Sequence, residues 1–234
     1  MSVLSCIQPS YIPWKGYFHQ IQKSDIFVFL DDVQYDKRSW RNRNQIKTSI
    51  GLIWLTVPVI TKKQYFQSIM EVQIDNTRNW RKKHSDTIHL NYRNAPFFNK
   101  YKEFWSSVYE HEWKLLVDLD IFLTVEISKL LGIETKFVRA SEMQLEQDRK
   151  YKFVYLCKKL NIDTYLTGPL ARNYLTAEMF EKEGLKLEFQ EYCYPEYHQL
   201  YDDFVHNVSI LDMLFNCGEE AGEYIWGKYT KNMQ

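Results

Sequence analysis

The side chains of this 234-residue chain whose types and spacing could do chemistry lie mostly in its first fifty residues. They are His19, the pair Asp31-Asp32, and the run Trp40-Arg41-Asn42-Arg43-Asn44, followed by Lys47. His19 falls on the first turns of a helix predicted from Tyr17 to Lys23. There the positive end of the helix dipole lowers an imidazole pKa and favours a neutral ring, able to act as base or hydrogen-bond donor. A structural histidine fits the same position. Asp31 and Asp32 close a predicted strand, where a carboxylate could orient an amine, hold a ribose hydroxyl or take a proton; a turn of Asp type is the plainer reading. Guanidinium groups in the third run suit fork recognition of phosphate or carboxylate, and its asparagines suit sugar hydroxyls or a base edge. His84, one helical turn after Trp80, is a weaker candidate.

These residues need elements to hold them. Val3 to Ile7 and Ile26 to Leu30 are short apolar runs bounded by turn formers, which predicts two strands buried on both faces. Gln8-Pro9-Ser10 stops the first, and Pro13-Trp14-Lys15-Gly16 leads into the helix. Further strands are predicted over Ile53 to Ile60, Ser68 to Ile74, Glu134 to Arg139, Thr164 to Thr167 and Leu185 to Gln190. Helices are predicted from the Asp75-Asn76-Thr77 caps through Ile88, from Phe98 to Tyr109, from Lys114 to Leu131, from Asp148 to Leu160, and from Thr176 to Lys182. A last helix over 209–218 has Ser209 as N-cap and Asp212 completing a capping box in acidic form. The fold class expected is α/β: a mostly parallel sheet in a Rossmann-like three-layer arrangement, with a helical middle insertion at about 76–132 and C-terminal helices, all in one domain over 1–234. In such a sheet the loops after the first strand and after Thr167 both lie at carboxyl edges and are expected to face one cleft.

Composition narrows the classes. Lys plus Arg and Asp plus Glu are 30 each, so no overall field draws the chain to nucleic acid. The four cysteines are far apart, with no CxxC, which argues against zinc and against a disulfide framework. No leader and no apolar run of membrane-spanning length is present, so a cytoplasmic protein is expected. The chain has no GxxxxGK[ST], GxGxxG, HExxH or GxSxG, and no cofactor or metal is implied.

QPSYIPWKGYF, LDDVQYDKRSWRNRNQIK, WLTVP, YLTGPLARNYL and SILDMLFNCG, in this order over nearly the whole chain, resemble the WbqC-like protein family of bacteria. The resemblance places Gln8, Pro9, Tyr11, Pro13, Trp14, Gly16, His19, Asp31, Asp32, Tyr35, Asn42, Arg43, Asn44, Gly168, Pro169 and Tyr174 at motif positions. Ile12 stands where an aromatic residue is expected. The family is associated with gene clusters for surface polysaccharides such as O-antigen. What this implies is transfer of a glycyl or related acyl group to the amino group of a nucleotide-activated deoxy-amino-sugar. His19 would then take a proton from the amine, Asp31 or Asp32 would orient the amine or its donor, and Arg43 with Asn42 and Asn44 would grip an anionic part. The partners expected are a nucleotide-linked amino sugar and an acyl or aminoacyl donor; a homodimer is left open. A nucleotide-dependent ligase or nucleotidyl transferase, and a non-catalytic nucleotide-sugar or partner-binding protein, are the alternatives.

Overall fold

The computed structural model describes residues 1–62, 64–143, 151–201 and 203–231. Five strands form one sheet: β1 (Val3–Ile7), β2 (Ile26–Phe29), β5 (Lys136–Arg139), β6 (Thr164–Thr167) and β7 (Lys186–Phe189), in the order β5-β2-β1-β6-β7, each pair parallel. A separate antiparallel hairpin is made by β3 (Arg43–Thr48) and β4 (Gly51–Thr56). The protein is thus α/β, as the alternation of elements predicts.

Both faces of the sheet are covered. On one, Phe27 and Phe29 of β2 pack with Phe18 and Ile21 of α1 (Lys15–Gln22) and with Leu119 and Leu123 of α4 (Leu116–Leu130). On the other, Leu4, Cys6, Val28 and Tyr165 meet α5 (Lys152–Leu160) and α6 (Ala177–Glu181). Tyr165 is stacked between Phe153 and Phe180, at 4.9 and 5.5 Å between ring centres. Each such fully buried ring contributes about 2 kcal/mol of burial free energy. Between sheet strands β2 and β5 the chain makes the hairpin, then α2 (Trp80–Tyr92), α3 (Phe98–Glu110) and α4; α7 (Ile210–Cys217), α8 (Ala221–Ile225) and α9 (Lys228–Lys231) follow β7.

Four expectations change. The strand predicted over Ile53 to Ile60 is instead the second arm of the hairpin and does not join the sheet. Leu55 and Val57 face inward while Leu52 and Trp54 remain largely exposed, the alternation of a half-buried strand. The end of the donor run, from Arg43, belongs to β3, opposite β4 from Arg43↔Thr56 to Thr48↔Gly51. Ser68 to Ile74 forms a 3-10 turn at Ile69–Glu71, not a strand. The Glu71 carboxylate accepts from both the amide and the hydroxyl of Ser68 (2.9 and 2.7 Å), a capping interaction that favours the helical turn. Asp75 caps a local turn at Thr77, while α2 starts at Trp80 after Asn79. At α7, Ser209 does cap, accepting from the Leu211 amide at 3.2 Å, but Asp212 turns into the core and takes hydroxyls from Tyr92 and Tyr197, each at 2.8 Å. The predicted start of α5 at Asp148 lies outside the described residues.

Candidate functional site

In the sheet the chain runs outward from β1 through β2 to β5, then returns to β6 on the other side of β1 and on to β7, so the strand order reverses between β1 and β6. The crevice beyond the carboxyl ends of two such strands is where open α/β sheets bind ligands. A cavity of about 890 Å³ lies there. Its walls come from the end of β1 and the loop after it (Cys6 to Gln8, Ser10, Pro13, Trp14) and from the end of β6 and its loop (Thr167 to Ala171, Tyr174). Tyr17 and Gln20 of α1, Trp40, Arg41, Asn44 and Gln45 around the start of the hairpin, and Tyr192 and Asn207 complete it. The two predicted loops therefore meet in one cleft.

The loop after β1 is built under strain. Ile12 is fully buried with φ of 42°, a conformation that a β-branched residue adopts at a cost. Asn44 holds it: its amide nitrogen donates to the carbonyls of Ile12 (2.7 Å) and Tyr11 (3.3 Å), and its oxygen accepts the Gln45 amide (2.8 Å). Trp14 folds back over Gly16 so closely that a Cβ there would fall 2.3 Å from the indole. Tyr192 packs against Trp14 (5.1 Å, 64°), and its hydroxyl donates to Gln20 Oε1, while Gln20 Nε2 donates to the Leu166 carbonyl.

Arg41 brings the charge. Its Nη1 donates to both the carbonyl (3.2 Å) and Oε1 (2.8 Å) of Gln8, whose carbonyl also accepts Tyr17 Oη. Behind Arg41 and Tyr17 lies Asp120 of α4, fully buried, with neither carboxyl oxygen hydrogen bonded among the described residues. Burial pushes its pKa well above the ordinary carboxylate value, with Arg41 pulling the other way. Among the described lining residues there is no carboxylate and no imidazole. Burial also raises the Cys6 thiol, the neighbouring Lys152 charge notwithstanding, so it is no ready nucleophile.

The predicted site residues divide. Gln8, Trp14, Asn44, Gly168 and Tyr174 line the cavity. Gly16 shapes it through Trp14. Tyr11 and His84 stand in the core, joined at 2.9 Å, with Tyr11 also bonded to Tyr109 at 2.7 Å. Tyr35 is buried beside the arginines, and Asn42 donates to the Val57 carbonyl at 2.8 Å, closing the hairpin end. Arg43 lies on Trp54, 4.2 Å from its ring centre, and Lys47 donates to the Tyr201 carbonyl. Asp31 accepts Arg139 Nε, Ser141 Oγ and the Ser141 amide at 2.7 to 2.9 Å, tying β2 to the segment after β5. Asp32 is paired with Lys152. His19 sits in the last turn of α1, not the first, so the dipole at the helix start does not act on it. Its pKa is nonetheless pushed down to about 4, chiefly by burial, with Lys23 adding to it. Tyr194 Oη (3.0 Å) and Gln190 Nε2 (3.2 Å) meet its Nδ1, which accepts from the amide and so leaves the ring proton on Nε2.

Gln20, Tyr192 and Asp120 carry weight that the sequence alone does not assign, and of the guanidinium groups in the Trp40–Asn44 run it is Arg41 that reaches the cavity wall. Asp120 is the one charged residue that α4 buries, in line with Thr124 and Ser128 and beside its apolar residues. Gln20 had no signal, because α1 is buried almost all round and its periodicity selects no face.

A family model described as the WbqC-like protein family matches residues 8–224, nearly the whole chain. The chain belongs to the WbqC-like protein family. A Mycobacterium tuberculosis (strain ATCC 25618 / H37Rv) relative named uncharacterized protein Rv1507c is 38% identical over 227 residues, covering 96% of this chain and 98% of that relative. No solved structure matches. Among the described residues no helix is long and apolar enough to cross a membrane. The WbqC-like family match spans both cavity-forming loops, whose motifs carried the resemblance in the sequence.

Proposed function

We propose that this WbqC-like protein binds a nucleotide-linked deoxy-amino-sugar in the switch-point cavity and acts in surface-polysaccharide biosynthesis, transferring a glycyl or related acyl group to the sugar's amine. The observation that carries the reading is the chemistry of the cavity wall. Its aromatic rings (Trp14, Trp40, Tyr174, Tyr192) suit the apolar faces of sugar rings, its neutral amides and hydroxyls (Gln8, Ser10, Asn44, Thr167) suit ring hydroxyls, and Arg41 suits one anionic group. The volume is that of a site for a ligand of drug size or larger. The reacting amine would arrive mostly as an ammonium and must lose a proton before it attacks the acyl carbon. His19, with a pKa near 4, is a weak base for that step, and Asp31 and Asp32 are held by Arg139, Ser141 and Lys152.

That shortage of a base on the described wall favours a second reading, a non-catalytic binding protein for the same ligand. Thermal shift against nucleotide-linked amino sugars, with and without glycine or acyl donors, followed by mass spectrometry of the sugar, separates the two. Stabilisation with acylated product supports the transferase. Stabilisation without product supports the binding protein, and no stabilisation by any such sugar removes both. Turnover lost in His19→Asn with binding retained would assign the proton transfer to His19; turnover retained would exclude it.

A further inference from the structure

Trp40 lines the cavity and yet is 48% exposed; its ring packs against that of Trp54, 42% exposed, at 5.3 Å. The Arg43 guanidinium lies 4.2 Å from the Trp54 ring centre. Nothing in the packing of the hairpin requires two indoles on its outer side, since the inward residues Ile46, Leu55 and Val57 already anchor it. The Nε atoms of Arg41 and Arg43 are both buried and hydrogen bonded to nothing among the described residues. Flat π surface, cationic donors and continuity with the cavity are thus gathered on one rim, and none of the residues named there is acidic.

We infer that this rim is a nucleobase subsite, taking the base of a nucleoside phosphate on the Trp40–Trp54 indoles with its phosphate toward Arg41 and Arg43. Base stacking on aromatic side chains needs only a π face, and each such contact is worth about tenfold or more in affinity. Arginine suits the phosphate because its fork donates two parallel bonds. A sugar ring alone offers no face that would use the whole indole pair, and a free sugar phosphate would leave it uncovered. The inference rests on the sugar-nucleotide reading of the cavity and adds to it the part of the ligand that leaves the mouth.

The test compares, by isothermal titration of the full chain, a panel of nucleoside monophosphates (uridine, thymidine, cytidine, guanosine and adenosine) with glucosamine 1-phosphate, a sugar phosphate without a base. The wild type should prefer at least one nucleoside monophosphate over the sugar phosphate by about tenfold or more; Trp54→Ala should collapse that ratio, and Trp54→Phe should restore most of it. Using the ratio, with Phe as the conservative change, guards against a general loss of folding. A ratio unaltered in Trp54→Ala, or a wild type that binds the sugar phosphate as well as any nucleotide, would overturn the base subsite and leave the sugar cavity standing. Binding of none of the probes would remove the cavity reading and this inference with it.

Discussion

Arg41 Nη1 grips Gln8 twice, at its backbone carbonyl and at its side-chain oxygen, so the only charged residue on the described cavity wall is also the residue that fixes the end of β1. Arg41→Lys keeps the charge but loses the fork. It should therefore lower affinity for an anionic ligand by roughly ten- to a hundredfold, the value of a charge-assisted bond, measured by titration. Arg43→Lys, whose guanidinium lies on Trp54 outside the cavity wall, should weaken binding less. Equal losses would show that Arg41 has no special place at the wall.

Asn44 and Ile12 form a pair in which one side chain pays for the other's backbone. Removing the amide in Asn44→Ala frees two carbonyls in the buried loop and releases a left-handed residue. The expected loss is about 1–3 kcal/mol in urea unfolding, together with weaker ligand binding as the loop relaxes. Asn44→Asp keeps an acceptor for the Gln45 amide but cannot donate, so it should behave like Asn44→Ala. Recovery in the Asp variant would mean that the bond to Gln45, and not the bonds to Tyr11 and Ile12, holds the loop.

How far the sequence reveals this molecule can be seen element by element. β1, α1 and β2 are legible because a strand covered on both faces reads as a near-continuous apolar run, broken in β1 only by Ser5, and glycine and proline punctuate the loop between. β4 is legible as a strand, but its pairing with β3 apart from the sheet is not, because β4 mixes inward apolar residues with outward ones such as Trp54, and only the partner strand decides its register. The same partner strand separates Arg41 from Arg43. They stand two residues apart in one run, but the guanidinium of Arg43 lies on the Trp54 ring while that of Arg41 grips Gln8. His19 illustrates a further limit. A neutral ring is expected from the helix dipole and is found, but burial is the cause.

Gly16 is required by Trp14. A methyl group at residue 16 would meet the indole at 2.3 to 2.7 Å, and Trp14 is itself braced by Tyr192 and Tyr194, so the ring cannot retreat without moving the cavity wall. Gly16→Ala should destabilise by about 1–3 kcal/mol despite the gain in helix propensity of alanine. It should also shift Trp14 fluorescence. A variant more stable than the wild type would show that Trp14 repacks freely.

His84 makes stability depend on pH in a predictable direction. Burial first, with Lys83 adding to it, pushes its pKa down to about 4 from 6.5, against a hydrogen bond to the Thr56 carbonyl that pulls the other way. Above pH 6.5 the ring is neutral in folded and unfolded chains, and pH has no effect through it. Between pH 6.5 and 4 the unfolded chain binds a proton that the folded chain does not, so stability falls as pH falls, by at most about 3 kcal/mol for this residue. Below about pH 4 both forms are protonated and the loss levels off. His19, lowered to about 4 in the same way, adds to the same window. His84→Gln keeps a donor toward Thr56 but has no proton to take up. It should be less stable than the wild type at pH 7.5, with a gap that narrows towards pH 4.5 in urea melts across that range. A gap that stays constant with pH would show that the folded and unfolded pKa values of His84 are equal, and one that widens as pH falls would show that the fold raises it.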